Sequence, residues 1–194
     1  ARLSLYIPIK FKVMIKEHTL LVERYRPSTL ENYVGNEQIK SVIQNYLDQN
    51  DIQNFIFAGT AGTGKTTLAK IIVNNLDCDY ILINASDERG VDTIRDKVSA
   101  FASMASFKSI KVVILDEADF LTINAQASLR NVIEKFSRST RFILTCNYVE
   151  RMIDPLQSRC QVLKIVPPSK NEVAKHILRI LEQEEIQYET QDVK

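Results

Sequence analysis

The stretch GTAGTGKT, Gly59 to Thr66, constrains this chain more than any other. It fits G-x-x-x-x-G-K-[ST] and stands between an apolar run, NFIFAG, and a helical pattern opening at Lys65, the context that this spacing demands. Its glycines permit positive φ and close backbone approach. Successive N–H groups across Gly59, Thr60, Ala61, Gly62, Thr63, Gly64, Lys65, Thr66 and Thr67 can then surround a polyphosphate at a helix amino terminus. Lys65 supplies a point charge toward the β and γ phosphates, and Thr66 offers a hydroxyl to Mg²⁺.

Further apolar runs set the fold class. Beside NFIFAG (Asn54 to Gly59), the runs YILIN (Tyr80 to Asn84), KVVILD (Lys111 to Asp116), RFILTCN (Arg141 to Asn147) and QVLKIV (Gln161 to Val166) read as buried strands. They are continuous rather than alternating, as when helices cover both sheet faces. Helical patterns fall between them at Lys65 to Asn75, Val91 to Ala105, Asn124 to Phe136 and near Glu150 to Ser158, with another ahead at Asn36 to Gln49. This alternation predicts a doubly wound α/β fold with a five-stranded parallel sheet. After the last strand, PPSKNEVAKHILRILEQEE predicts one more helix, capped by Ser169 with Glu172 three residues on. No partner for that helix is evident in the sequence, so it reads as the first piece of a helical second domain.

Composition excludes several classes. At 194 residues and 45% hydrophobic, the chain suits one well-buried domain with an appendage. Charge or polarity interrupts every apolar stretch well short of the roughly 20 residues that span a bilayer, so no membrane association is expected. The amino-terminal ARLSLYIPIKFKVMIKEHTL lacks the form of a secretory signal. Cys78, Cys146 and Cys160 are odd in number and widely spaced, which fits reduced thiols in the cytoplasm rather than disulfides or zinc ligands. His18 and His176 are isolated. With 25 basic and 24 acidic residues the net charge is +1, so any case for nucleic acid is local.

Two more strand ends carry candidate chemistry. KVVILDEAD places Asp116 and Glu117 where parallel sheets bind ligands. Asp116 suits magnesium, and Glu117 beside it suits accepting a proton from an attacking water. RFILTCN presents Thr145 and Asn147, and the Asn147 amide can donate to a γ-phosphate without adding charge. Arg159, in DPLQSRC, is either a solvated surface charge or a cation reaching for a phosphate.

GTAGTGKT, VVILDEAD, ILTCN and SRC in this order, with ERYRPSTLENYVGNEQI before them and ASDERGVDTIR and PLQSRC among them, resemble the AAA+ clamp-loader ATPases: the small subunits of replication factor C and the ATPase subunit of tailed-phage clamp loaders. The resemblance runs from about Glu17 to the end. It implies an AAA+ P-loop ATPase domain over residues 17–167, a lid beginning within 168–194, and a leader at 1–16 outside the family pattern. Ala1 to Val13 matches nothing in the family, and Met14 is a natural start.

The resemblance also implies roles. Arg159 would act in trans at the ATP site of an adjacent subunit, through two hydrogen bonds that a lysine cannot supply. Arg89 and Arg95 would meet the DNA backbone from inside a spiral, Arg89 also coupling DNA to Glu117; the residues alone allow an ordinary helix-surface ion pair from Asp92 to Arg95. Tyr25, Arg26, Pro27 and Val34 would lie beside adenine, or form a surface turn. Met104 and Phe107 would touch the sliding clamp, or pack in the core. Partners implied are the other subunits of an oligomer, a pentamer in the family, with the clamp and primer-template DNA. The location would be cytoplasmic, or nuclear in a eukaryote. The lid arginine and carboxyl-terminal collar of the family are missing, so little ATPase is expected of this chain alone. Competing classes are a helicase-like AAA+ motor, a scaffold that binds ATP without hydrolysis, and, remotely, a small-molecule P-loop kinase.

Overall fold

The computed structural model describes residues 20–87 and 91–186. A short helix α1 (Leu21–Arg24) and α2 (Glu37–Asp48) precede β1 (Phe55–Ala58). There follow α3 (Lys65–Asn74), β2 (Cys78–Asn84), α4 (Val91–Ser103), β3 (Ile110–Asp116), α5 (Ile123–Lys135), β4 (Thr140–Cys146), α6 (Asp154–Gln157), β5 (Gln161–Lys164) and α7 (Lys170–Gln183). The strands form one sheet in the order β2-β3-β4-β1-β5. All four pairings are parallel, with register Ala58↔Cys146, Leu115↔Leu144 and Asn84↔Asp116.

Alternate residues of the central strands enter two separate cores, as the period of two in a strand requires. On one face Ile56, Val113, Leu115, Phe142 and Leu144 pack against Val98 of α4 and Leu129 and Ile133 of α5. On the other, Phe55, Phe57, Val112, Ile114 and Ile143 meet Ile43 of α2 and Leu68, Ile71 and Ile72 of α3. The edge strands depart from full coverage: Tyr80 and Leu82 of β2 and Val162 of β5 are exposed, because helical layers reach over the middle of a sheet before its margins.

Element ends shift slightly from the sequence expectation. β2 begins two residues earlier, at Cys78, and the helix expected near Glu150 to Ser158 divides into a 3₁₀ turn at Val149–Arg151 and α6. Asn36 is not helical but left-handed, φ 57°, and exchanges two hydrogen bonds with the backbone of Val166, pinning the amino-terminal segment to the end of β5.

The final helix has a partner after all. α7 opens with the expected capping box of Ser169 and Glu172. Its far end is held to the segment around α1: Tyr25 Oη donates to Glu184 Oε1 at 2.5 Å, Arg24 forms an ion pair with the same oxygen, and Arg179 donates to Asn32 Oδ1 at 2.9 Å. These polar ties join α7 to a segment far upstream in the chain, while no residue of the helix is fully buried. The leader at 1–16 lies outside the described residues. Among the described residues no helix is long and apolar enough to cross a membrane.

Candidate functional site

Three neighbouring strands, β3, β4 and β1, end on the same edge of the sheet, and each delivers part of one site. β1 runs into the glycine-rich turn, where Gly62 and Gly64 hold φ of 78° and 88°, values that favour glycine. A Cβ on Gly59 would lie 2.2 Å from the Ile165 carbonyl, so the turn must begin with glycine to pass beside β5. The Tyr33 hydroxyl donates to Thr63 O at 3.1 Å, supporting the turn from below.

Lys65, the first residue of α3, is 8% exposed. Its Nζ donates to Gly59 O and Thr60 O, each at 2.8 Å, and to Asn147 Oδ1 at 2.9 Å. Burial pushes the Lys65 ammonium below its usual range, while Asp116, Asp119 and Glu117 pull it back. A cation held this way, with neutral partners only, suits an incoming anion. Thr66 Oγ1 and Thr145 Oγ1 both donate to Asp116 Oδ1 at 2.6 Å. Thr145 Oγ1 in turn accepts from Glu117 N at 3.0 Å, which ties the end of β4 to the end of β3. Glu117 itself is left-handed, φ 56°, an unfavourable state for a residue with a side chain. Its half-buried carboxylate makes no hydrogen bond or ion pair among the described residues, so it is available to a water.

The sequence reading missed Asp119. It is 6% exposed, and its Oδ2 accepts from the backbone N–H groups of Asn147 and Tyr148 at 3.2 and 3.3 Å, fixing the loop that carries Asn147. Its place in DEAD, three residues beyond Asp116, was the available signal.

Beside the turn is a cavity of about 760 Å³. One wall is Gly62, Gly64, Lys65, Thr66 and Thr67; the other is Leu21, Val22, Tyr25, Arg26 and Pro27 with His176, Ile177, Ile180 and Leu181 of α7. Tyr25, Arg26 and Pro27 line this cavity together with the glycine turn, whereas Val34 is half-buried and outside the cavity lining. The helix itself was expected from the sequence; the part that Ile177, Ile180 and Leu181 take in this cavity was not.

The remaining candidates lie elsewhere. Arg159 belongs to the opposite edge of the sheet, since Asn54, just before β1, donates from Nδ2 to Arg159 O at 3.3 Å. Met104 and Phe107 are 65% and 108% exposed, so core packing does not account for them. Arg95 is exposed on α4 and donates from Nε to Asp96 at 3.0 Å, while Arg89 lies outside the described residues. All three cysteines are free, and burial pushes the Cys146 and Cys160 thiols up to about 12.

Glycines that leave room for phosphate, a buried lysine, and a hydroxyl beside a carboxylate fit a nucleotide with a hard divalent cation. Among the described residues no three His, Cys, Asp or Glu side chains cluster as a metal centre. Were an ion bound with the nucleotide, Thr66 and Asp116 are the side chains at the turn that would hold it beside the oxygens of the substrate.

Fold and site together define a P-loop NTPase of the AAA+ kind. The family described as "ATPase family associated with various cellular activities (AAA)" matches residues 55–168, and the chain belongs to it. Among curated proteins it is similar to the replication factor C small subunits of Haloarcula marismortui, 43% identical over 86% of this chain, and Halobacterium salinarum, 44% identical over 86%. That of Sulfolobus acidocaldarius is 36% identical over 93%. These alignments cover 53%, 54% and 58% of the relatives, so the chain spans about half of their length. Among solved structures, the Thermotoga maritima RuvB Holliday junction branch migration motor superposes with a TM-score of 0.71 over 85% of this chain and 56% of its own, at 21% identity, a likeness of fold.

Proposed function

We propose that this chain is the nucleotide-binding part of a clamp-loader ATPase subunit, which hydrolyses ATP while a sliding clamp is placed on primer-template DNA. The similarity to replication factor C small subunits supports the process, and the site supports the chemistry. Lys65 and the glycine turn bind the phosphates. Thr66 and Asp116 hold Mg²⁺, which when bound neutralises phosphate charge. Glu117 takes the proton of the attacking water, and Asn147, kept in place by Lys65 and Asp119, orients toward the terminal phosphate. α7 is the first helix of the lid, and its apolar face with Tyr25, Arg26 and Pro27 encloses the base.

One observation carries the assembly requirement. β1 and β5 are parallel neighbours with Phe55 opposite Gln161 and Ala58 opposite Lys164. Arg159 precedes Gln161, whereas the glycine turn follows Ala58, so the two lie at opposite strand ends, roughly 10 Å or more apart at about 3.3 Å per residue. That separation exceeds the reach of its side chain and supports a role for Arg159 at a neighbour's site rather than at its own. Arginines acting in this way contribute on the order of 10³ to 10⁵ in rate. Arg89 and Arg95 would follow the DNA backbone, and Met104 and Phe107 would touch the clamp.

The test is to mix Lys65→Ala and Arg159→Ala forms of the full-length protein with clamp and primed DNA. Each alone is inactive, and the mixture recovers turnover, because an intact site meets an intact arginine at some boundaries. Brisk turnover by a dilute monomer that ignores loss of Arg159 would overturn the reading. A helicase-like motor would instead show ATP-driven strand separation.

A further inference from the structure

Arg159 is folded back on its own chain. Its Nε donates to Glu134 Oε1 at 2.7 Å, and one terminal nitrogen pairs with the same oxygen. The other terminal nitrogen donates to Pro155 O at 2.7 Å and to Ser158 Oγ at 3.3 Å. Every guanidinium nitrogen thus has an intrachain partner. A residue placed to act outside its own subunit is, in this conformation, retracted.

The retracting group is shared. Glu134 stands one residue from the end of α5, and Arg130, one turn earlier, brings its Nε to 3.9 Å from the same carboxylate oxygen. That Nε is buried and has no hydrogen bond. Two arginines therefore converge on one carboxylate, leaving a net positive charge at this corner. If Arg159 leaves, Arg130 can close the remaining gap, and Glu134 is not stranded.

The contact is also weak enough to exchange. The side chains of Arg159 and Glu134 are 34% and 47% exposed, where water and salt screen an ion pair. A terminal phosphate carries more charge than a carboxylate and accepts two parallel hydrogen bonds from a guanidinium. It is the better partner when it arrives.

Taking Arg159 to act across a subunit boundary, as proposed above, we infer that Glu134 is a positioning residue that holds Arg159 retracted until a neighbour's terminal phosphate displaces it, with Arg130 receiving the released carboxylate. Exchange of this kind ties the advance of Arg159 to a triphosphate next door, since a diphosphate lacks the group that competes with Glu134.

The experiment uses the full-length assembled protein and compares Glu134→Gln, Arg159→Ala and the double variant by ATPase without DNA or clamp. Glu134→Gln should raise this unstimulated kcat about two- to fivefold, the scale of one exposed ion pair, with KM little changed. The double variant should fall to the level of Arg159→Ala alone, which separates a restraint on Arg159 from a general loosening of the fold. Glu134→Asp, which keeps the charge, should stay nearer the parent. Unchanged or reduced kcat in Glu134→Gln, with Arg159→Ala inactive, overturns the restraint and leaves the role of Arg159 intact. Full activity in Arg159→Ala overturns both.

Discussion

The hydroxyl of Thr66 lies 2.6 Å from Asp116 Oδ1, although fifty residues separate them in the chain. The same oxygen accepts from Thr145, so Asp116 is oriented by two hydroxyls before any ion arrives. Asp116→Asn keeps the shape and removes the charge. The variant should still bind nucleotide while losing the magnesium dependence of turnover, with kcat down about 10² to 10³, as when one electrostatic stabiliser is removed from a site. Chelating magnesium from the parent should cause a similar loss, and chelation should add little to the variant. A steep magnesium response surviving in Asp116→Asn would place the ion elsewhere.

Much of this was legible because it is local. The glycine turn announces itself through spacing and flanking elements, and Asp116 and Glu117 because an apolar run stops at two carboxylates. The sheet followed from repeated runs too short for helices. Contacts between distant segments were not legible. Nothing in the pattern of α7 says that its apolar face looks across a cavity at Gly62 and Gly64, and nothing near Tyr33 says that its hydroxyl supports Thr63. Sequence periodicity marks an apolar face; what that face meets is chosen by topology. Arg159 was an intermediate case, readable as a residue reaching outward but not as one paired to Glu134.

Tyr33 gives a pH signature of the support beneath the turn. It is 4% exposed, and burial pushes its hydroxyl from 10.0 up to about 12. The folded state therefore keeps this proton while the unfolded chain releases it, so the contribution of Tyr33 to stability is complete below pH 10 and declines as pH rises through about 12. Tyr33→Phe should cost about 1 kcal/mol at neutral pH through the lost bond to Thr63. Its disadvantage should shrink between pH 10 and 12, because the variant has no phenol to titrate. Chemical denaturation of both proteins across that range checks this, and a gap independent of pH would contradict it.

Lys111 offers a test of the loop that presents Met104 and Phe107. It is 6% exposed within β3, and its Nζ donates to Phe101 O and Ala102 O at 3.0 Å and to Met104 O, capping the end of α4 with a positive charge. Lys111→Met fills nearly the same space but takes its donor from all three carbonyls, of which Phe101 O keeps the bond from Met104 N at 3.2 Å. Destabilisation of about 2–3 kcal/mol is expected, the range for hydrogen bonds to a charged group. Amide exchange should quicken over residues 101–109 ahead of the rest of the sheet. Uniform protection across that loop would mean that its position is set by other contacts.

Ile180 separates binding of the base from binding of the phosphates. It stands on the α7 side of the cavity, facing the glycine turn, on a helix with no fully buried residue. Ile180→Ser should therefore disturb the fold little, while removing apolar surface that a bound base would cover. At about 25 cal/mol per Å² of apolar area, the lost contact corresponds to roughly tenfold weaker nucleotide binding. Inorganic triphosphate makes no use of that wall, so its affinity should stay the same in parent and variant. Equal weakening of both ligands would mean that α7 acts on the phosphate turn and not on the base.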